Sequence, residues 1–292
     1  RENGGTVMQK IWVCGARGQI GQAVNDVVDK LEFEMLDTDV DDLDVTDTDE
    51  VLRFGEMNRP DIIINCSGMT DISSCEENPS QAFKVNALGA RNLAIVAAKM
   101  QAKMVQLSTD DVFDGKSTEP YTEFDITNPG TVYGKSKLAG ENYVKEFTTK
   151  HFIVRSTWVY GKGQNFINGF LKKVDAGEQL SIASDQFGSP TSANELARFL
   201  LHLVHTSEYG TYHATNKGVC SRYAFAQEIL KMTGKTASMQ PVPTVMSDFS
   251  KVRPAYAVLD NFIMSMVPIY DFPDWQDSLR EYLEERGLYH AE

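Results

Sequence analysis

KIWVCGARGQIG, residues 10–21, is the stretch that decides the fold. An apolar, β-branched run ends on Gly15, and Gly15, Gly18 and Gly21 lead into the amphipathic pattern QAVNDVVDKL, so the segment reads as strand, tight turn and helix. In that arrangement the glycines fall where a dinucleotide pyrophosphate would meet a helix amino terminus, and a side chain would block either the phosphate or the close packing of helix on strand. The spacing is GxxGxxG, which makes Arg17, Gln19 and Ile20 candidate cofactor contacts together with the three glycines. Asp37 lies 22 residues after Gly15, at the end of the run FEMLD. An acid there can bind the adenosine ribose hydroxyls and repel a 2′-phosphate. Arg17 pulls the other way, because its guanidinium could pair with a 2′-phosphate, face the pyrophosphate or point to solvent.

Outward from this segment, FEMLD, DIIINCSG, AKMVQLSTD and HFIVRST also read as strands, and helical patterns such as DEVLRFGEMN, PSQAFKVNALGARNLAIVAAKM and SKLAGENYVKEF fall between them. Such alternation is the signature of βαβ units and a parallel sheet, and the uninterrupted DIIIN suits a strand buried on both faces. The last third is less regular. It has loops such as SDQFGSPTS and only two strong helix patterns, SRYAFAQEILKM and WQDSLREYLEER. The expected fold is therefore α/β: a Rossmann-type doubly wound parallel sheet with a smaller irregular α/β lobe over its carboxyl edge, where ligands of open sheets bind. Residues 8–158, with 190–217 returning, are assigned to the nucleotide-binding domain, and 159–189 with 218–292 to the substrate lobe.

The chain has 292 residues, 42% of them hydrophobic, enough for a sizeable core. Its formal net charge of −13 argues against nucleic acid or an anionic membrane as partner, so an anionic ligand must be held by local positive groups. No apolar run approaches the roughly 18 residues of a membrane-spanning helix, and a cytoplasmic location is expected. RENGGTV, ahead of Met8, reads as a flexible leader with the native start at Met8. Cys14, Cys66, Cys75 and Cys220 form no CxxC pair and read as ordinary buried thiols.

Tyr133 and Lys137 stand at i and i+4 in YGKSK, ahead of a strong helical pattern, so both can face one site. A free tyrosine has a pKa of about 10, and a neighbouring ammonium favours the phenolate, making the hydroxyl a usable acid or base nearer neutral pH. Thr109, at the end of the strand run QLSTD, is placed to hydrogen-bond a substrate carbonyl.

These residues together resemble the extended short-chain dehydrogenases, and more closely the dTDP-4-dehydrorhamnose reductases. The similarity runs over nearly all of residues 10–285. It is carried by GARGQIG, LDVTD (43–47), RPDIIINCSG, NPSQAFKVNALGARNLA, STDDVFDG, VYGKSKLAGE, RSTWVYGKGQNFI, DQFGSPTSANELA and the VRPAYAVLD segment (252–260). The resemblance implies that Thr109, Tyr133 and Lys137 are catalytic. It places Asp44, Val45, Cys66, Ser67, Gly68 and Ser108 in the cofactor site, with Tyr133 and Lys137. It assigns Asp111, Val112, Trp158, Asn165, Phe166, Gln186 and Arg253 to the nucleotide-sugar site, with Thr109 and Tyr133. Arg253 also suits a diphosphate on chemical grounds, as a bidentate donor in an acidic protein.

Some positions depart from the family pattern. Asp111 replaces a tyrosine that lies near the sugar, Ser73 and Ser74 stand where an aspartate and another polar residue are usual, and Arg222 stands where an aromatic residue is frequent. An ionised Asp111 can only accept hydrogen bonds, so it either takes one from a sugar hydroxyl or a basic group, or turns to solvent. Ala23 replaces a glutamate linked in some relatives to a metal-bridged dimer, so no metal is expected. The implied reaction is NAD(P)H-dependent reduction of dTDP-4-dehydro-L-rhamnose to dTDP-L-rhamnose, with NADH favoured, by a monomer or homodimer. The alternatives are another nucleotide-sugar reductase, epimerase or dehydratase, and a non-catalytic subunit like the one that binds methionine adenosyltransferase; the intact Thr109, Tyr133 and Lys137 favour an enzyme.

Overall fold

The computed structural model describes residues 8–247 and 254–291. Six strands form one sheet: β1 (Gln9–Cys14), β2 (Phe33–Thr38), β3 (Ile62–Asn65), β4 (Lys103–Thr109), β5 (His151–Ser156) and β6 (Gly210–His213). Their order is β2-β1-β3-β4-β5-β6, and every neighbouring pair is parallel. The chain leaves β1 in one direction along the sheet and returns at β3 to run in the other. That reversal opens a crevice at the carboxyl ends of β1 and β3.

Alternation of side chains along each strand supplies a core on both faces. Ile11, Val13, Ile62, Ile64, Val105 and Val154 face one side, against helices α1 (Gln19–Val27) and α6 (Ala193–Val204). Trp12, Ile63, Met104 and Ile153 face the other, against α2 (Thr48–Asn58), α3 (Ala90–Met100) and Val144 of α4 (Val132–Phe147). The Trp12 indole N–H donates to the Thr38 hydroxyl at 2.9 Å, so its one polar atom is satisfied inside the core. β6, with the sequence GTYH, has no apolar run to announce it, yet it closes the sheet beside β5.

A second core joins α5 (Phe166–Asp175), α7 (Arg222–Thr233) and α8 (Trp275–Glu284) through Phe170, Leu171, Phe225, Ile229, Trp275 and Leu279. It is tied together by short strand pairs: Leu180–Ala183 with Met239–Val242, Phe187–Gly188 with Cys220–Ser221, and Val159–Tyr160 with Thr191–Ser192. One segment departs from the expected lobes. Met264 and Phe272 pack into the sheet core, where the Phe272 ring lies 5.5 Å from Phe199 of α6, so this part of 218–292 packs with the six-stranded sheet. Among the described residues no helix is long and apolar enough to cross a membrane.

Candidate active site

The glycine turn is shaped by contacts that a side chain would break. Gly15 has φ +73°, and a Cβ there would lie 2.7 Å from the Ser67 backbone nitrogen. At Gly21 a Cβ would lie 2.4 Å from the Gly15 carbonyl oxygen. Two of the three glycines are therefore fixed by packing, whereas Gly18 has only one tight neighbour, the same carbonyl at 3.3 Å. Gly18 is also the N-cap of α1, with no side-chain cap and no acidic residue in the first turn, which leaves the first N–H groups of Gln19, Ile20 and Gly21 for a ligand. An anionic pyrophosphate fits this cradle.

The acid beside that turn is Asp39, not Asp37. β1 and β2 run in register from Gln9–Phe33 to Cys14–Thr38, which puts Asp39 one residue past the strand, level with Gly15. Its carboxylate accepts the Arg17 backbone N–H at 2.8 Å, while Asp37 turns to α1 and accepts from the Asn25 amide at 3.0 Å. The Arg17 guanidinium is set among carboxylates, with Nη2 at 3.0 Å from Asp41, 3.7 Å from Asp42 and 3.8 Å from Asp39. Asp44 and Val45 lie on the loop before α2. Asp44 accepts the Thr46 N–H at 2.8 Å, and the Val45 carbonyl accepts the Asn92 amide at 3.0 Å.

α4 begins at a capped amino terminus, where the Thr131 hydroxyl accepts the Gly134 N–H at 3.0 Å and Glu76 accepts the Val132 N–H at 2.8 Å. Glycine inside a helix costs about 1 kcal/mol against alanine, yet Gly134 and Gly140 are required here. A Cβ at Gly134 would lie 2.0 Å from the Asp111 carbonyl oxygen, and one at Gly140 would lie 2.4 Å from that of Asn86. The helix can therefore lie close against the turn after β4, with Lys137 buried at the end of that strand and Tyr133 buried beside Ile72, Cys75 and Ala82. Lys137 Nζ donates to the Leu107 carbonyl at 2.7 Å. Burial lowers its pKa to about 8, against the opposing pull of Glu141 and Cys66. Cys66 feels the same ammonium, but burial dominates and pushes its thiol up to about 12. Thr109, also buried, receives the Asp111 N–H at 3.2 Å and makes only long contacts to the Asp110 and Asp111 carboxylates, 3.3 and 3.5 Å. So weakly held a hydroxyl is easily redirected to a carbonyl.

Sequence reasoning gave no role to several groups around this centre. Asn86 sits in a π-helical turn (Lys84–Gly89), a geometry common at functional sites. Its amide spans the Met69 carbonyl and the Ser136 hydroxyl, both at 2.9 Å, and so ties α4 to the loop after β3. Glu141, one turn beyond Lys137, is fully buried and bonded by both oxygens to Arg155 at 2.8 and 2.7 Å. Burial alone would raise its pKa, but the Arg155 hydrogen bonds and charge, with Ser108, bring it below the usual carboxylate value. Arg155 also approaches His213 Nε2 at 3.4 Å, while Nδ1 faces the Tyr121 and Asp260 carbonyls at 2.9 and 3.2 Å. Nδ1 therefore carries the proton. Burial, then the Arg155 charge, lowers the His213 pKa to about 3, keeping the ring neutral.

Four of the expected contacts have partners within the chain. The Ser108 hydroxyl is committed to Glu141 at 2.6 Å. Val112 has no exposed surface and packs with Phe113, Tyr121 and Leu259. Asn165 caps α5 and donates to the Gly161 carbonyl at 2.7 Å and to Tyr282 at 3.0 Å, which occupies its amide structurally. Asp37 is replaced by Asp39, as above. Asp111 is 1% exposed, so its carboxylate does not turn to solvent. Gln186 is buried and its carbonyl accepts the Arg222 N–H at 3.0 Å. Trp158 and Phe166 stay partly exposed beside the Arg222 guanidinium, which lies 3.5 and 4.7 Å from their ring centres. Of the departures, Ser74 donates to Asp71 at 2.6 Å and Ala23 packs in the sheet core. Arg253 lies outside the described residues.

Comparison with known proteins matches residues 8–287 to the family described as the RmlD substrate binding domain. The spore coat polysaccharide biosynthesis protein SpsK of Bacillus subtilis (strain 168) is 35% identical over 281 residues, covering 96% of this chain and 99% of SpsK. Among solved structures, a dTDP-4-dehydrorhamnose reductase from Clostridium acetobutylicum ATCC 824 superposes with TM-score 0.93 at 40% identity, covering 96% of this chain and 100% of its own. The dTDP-4-dehydrorhamnose reductase of Bacillus anthracis str. Ames, solved in complex with NADP, gives TM-score 0.92 at 35% identity, covering 96% and 99%.

Proposed function

This chain belongs to the RmlD substrate binding domain family, the dTDP-4-dehydrorhamnose reductases of the extended short-chain dehydrogenase superfamily, and on that premise we propose that it reduces dTDP-4-dehydro-L-rhamnose to dTDP-L-rhamnose. A nicotinamide-dependent oxidoreductase acting on a nucleotide sugar is the broader statement, and the choice of sugar is the proposal. What supports it is the Lys137 ammonium bonded to Leu107 at the carboxyl end of β4, with Thr109 two residues further along that strand, Tyr133 one turn earlier on α4 and the uncapped start of α1 on the same sheet edge.

Gly18–Gly21 and Asp39 would hold the reduced cofactor, which would supply a hydride to carbon 4 of the sugar. Tyr133 gives the proton that the developing alkoxide requires. The Lys137 ammonium lowers the cost of the phenolate left behind, and Thr109 turns its hydroxyl to the carbonyl, fixing the reacting geometry before charge develops. The named activity of SpsK in spore coat polysaccharide synthesis suits a product destined for a surface polysaccharide. The test is cofactor oxidation with a panel of 4-keto nucleotide sugars differing in base and hydroxyl configuration. The highest kcat/KM is expected for dTDP-4-dehydro-L-rhamnose; a higher value for another sugar reassigns the substrate.

Cofactor choice follows from the charges at the turn. Three carboxylates surround Arg17, so a 2′-phosphate would meet net negative charge. NADH is expected to be used at least as well as NADPH, and Asp39→Ser is expected to shift the ratio several-fold toward NADPH. A strong NADPH preference that Arg17→Ala abolishes would reverse this reading.

The alkaline limb of the pH profile should belong to Lys137. With a folded pKa of about 8, it is an ammonium below that pH and an amine above it, so kcat/KM is expected to fall as pH rises through about 8. The stability sign is opposite. Because the folded pKa lies below the ordinary 10.5, the unfolded chain binds the extra proton between pH 8 and 10.5, and this group's contribution to stability rises with pH across that window. At pH 7 the buried ammonium costs on the order of 3 kcal/mol. Lys137→Met is therefore expected to be inactive yet no less stable at pH 7 by urea unfolding. An alkaline limb unchanged from neutral pH to 10 would remove Lys137 from this role.

A further inference from the structure

Trp158 has an uncommon setting. Its φ is +47°, in the left-handed region that a bulky residue occupies only when its surroundings hold it there. Two neighbours do so. A Cβ on Gly188 would lie 2.5 to 2.9 Å from the indole atoms Cε2, Cδ2 and Cζ2, so only glycine lets the backbone rest on that ring. The Arg222 guanidinium carbon lies 3.5 Å from the ring centre. A guanidinium and a backbone this close to the same ring atoms cannot share one side, so they take opposite faces of the indole.

Chain topology makes the clamp a single unit. The strand Phe187–Gly188 pairs with Cys220–Ser221, with Gly188 opposite Cys220, and Arg222 is the first residue of α7 directly after that pair. A second tie runs from the Arg222 N–H to the Gln186 carbonyl at 3.0 Å. Arg222 is 4% exposed, and a cation in the first turn opposes the helix dipole.

Taking Trp158 as part of the sugar pocket, which rests on the function proposed above, we infer that Arg222 is a specificity-determining positioning residue. It clamps Trp158 against Gly188 so that the sugar meets the edge of the indole and not its face. That partly exposed edge carries the Nε1–H, a hydrogen-bond donor suited to a sugar hydroxyl of the nucleotide-linked hexose. A face-on indole would offer apolar area without that donor.

The experiment compares Arg222→Met, which fills the space without charge or plane, Arg222→Lys, which keeps charge but not the planar stack, and Arg222→Phe, which keeps the plane alone. Acrylamide quenching of tryptophan emission is read on each free enzyme, where Trp12 and Trp275 are buried and Trp158 is the partly exposed reporter. KM, kcat and NADH affinity follow. Expected for Arg222→Met and Arg222→Lys are easier quenching and a roughly tenfold higher KM for the nucleotide sugar, the scale of a desolvated cation–π contact, with kcat less affected and NADH affinity unchanged. Arg222→Phe is expected to recover most of both. Unchanged quenching and KM in Arg222→Met, or an Arg222→Phe enzyme as impaired as Arg222→Met, overturns the clamp. If one variant fails to fold, the other two decide by the same comparison. If the wild type reduces no 4-keto nucleotide sugar, the function proposed above fails, while quenching of the free enzyme still tests the clamp.

Discussion

Tyr133→Phe is expected to lower turnover by about 10²- to 10⁴-fold while leaving NADH affinity unchanged. The substitution removes one oxygen from a residue whose position is set by the rest of α4: the Thr131 cap, the close approach of Gly134 to the Asp111 carbonyl, and the Ser136 hydroxyl that donates to the Tyr133 carbonyl at 2.8 Å. None of these contacts uses the phenol, so the helix should hold its place and the loss should appear in kcat. Single-turnover reduction by the variant, followed by the disappearance of bound NADH, separates the proton-transfer step from binding. Turnover within a few-fold of wild type would leave the reaction without its acid and remove Tyr133 from the mechanism.

The second large effect is on stability. Arg155→Met should cost about 3–5 kcal/mol, because it leaves Glu141 as an uncompensated buried carboxylate. Ser108 at 2.6 Å and the half-exposed Lys145 at 3.6 Å would be its remaining partners. Replacing both members, Glu141→Leu with Arg155→Met, should recover most of that loss, since two well-packed apolar groups avoid the desolvation that the ion pair must offset. Urea unfolding of the single and double variants measures the difference. A loss below about 1 kcal/mol in Arg155→Met would mean that water or a shifted Lys145 reaches Glu141. Because Ser108 precedes Thr109 and bonds this pair, the single variant should also disturb the end of β4 and lower kcat.

Local patterns announced most of the fold. The runs at 10–15, 33–37, 61–68, 102–110 and 151–157 each hold a strand of the sheet; the central Ile62–Asn65, buried on both faces, leaves an uninterrupted apolar trace, whereas the edge strand Phe33–Thr38 keeps Glu34 and Asp37 exposed. β6 was illegible for the opposite reason: GTYH gets its partner from β5 and its burial from α6, neither of which is written in its own residues. The π turn at Lys84–Gly89 was hidden too, since a one-residue insertion into a helix barely alters an apolar pattern.

At the site, Tyr133 and Lys137 were readable because i, i+4 on a helix is local geometry. That Asp39 rather than Asp37 lies level with the glycine turn depends on where β2 ends relative to β1, a register between strands that local sequence does not carry. The Glu141–Arg155 pair left a signal that was passed over. An arginine inside HFIVRS, a strand with no exposed face, demands a buried partner, and a glutamate one turn past Lys137 is the helical position that supplies it. Asn165, an asparagine ahead of an amphipathic run, bears the mark of a helix cap, and it caps α5. Val112, which the resemblance places in the sugar site, has its side chain on the inward side of the turn after β4, packed with Phe113, Tyr121 and Leu259.

The proposed reaction moves a hydride from the cofactor to carbon 4 of a dTDP-linked 4-keto sugar. Reduction of dTDP-4-dehydro-L-rhamnose with NADH deuterated at the transferring position, followed by NMR of the sugar, tests it directly. Stoichiometric oxidation of the cofactor with one deuterium at carbon 4 of dTDP-L-rhamnose is the predicted result. Unoxidised cofactor, or a product whose carbon 4 carries no deuterium, would contradict it.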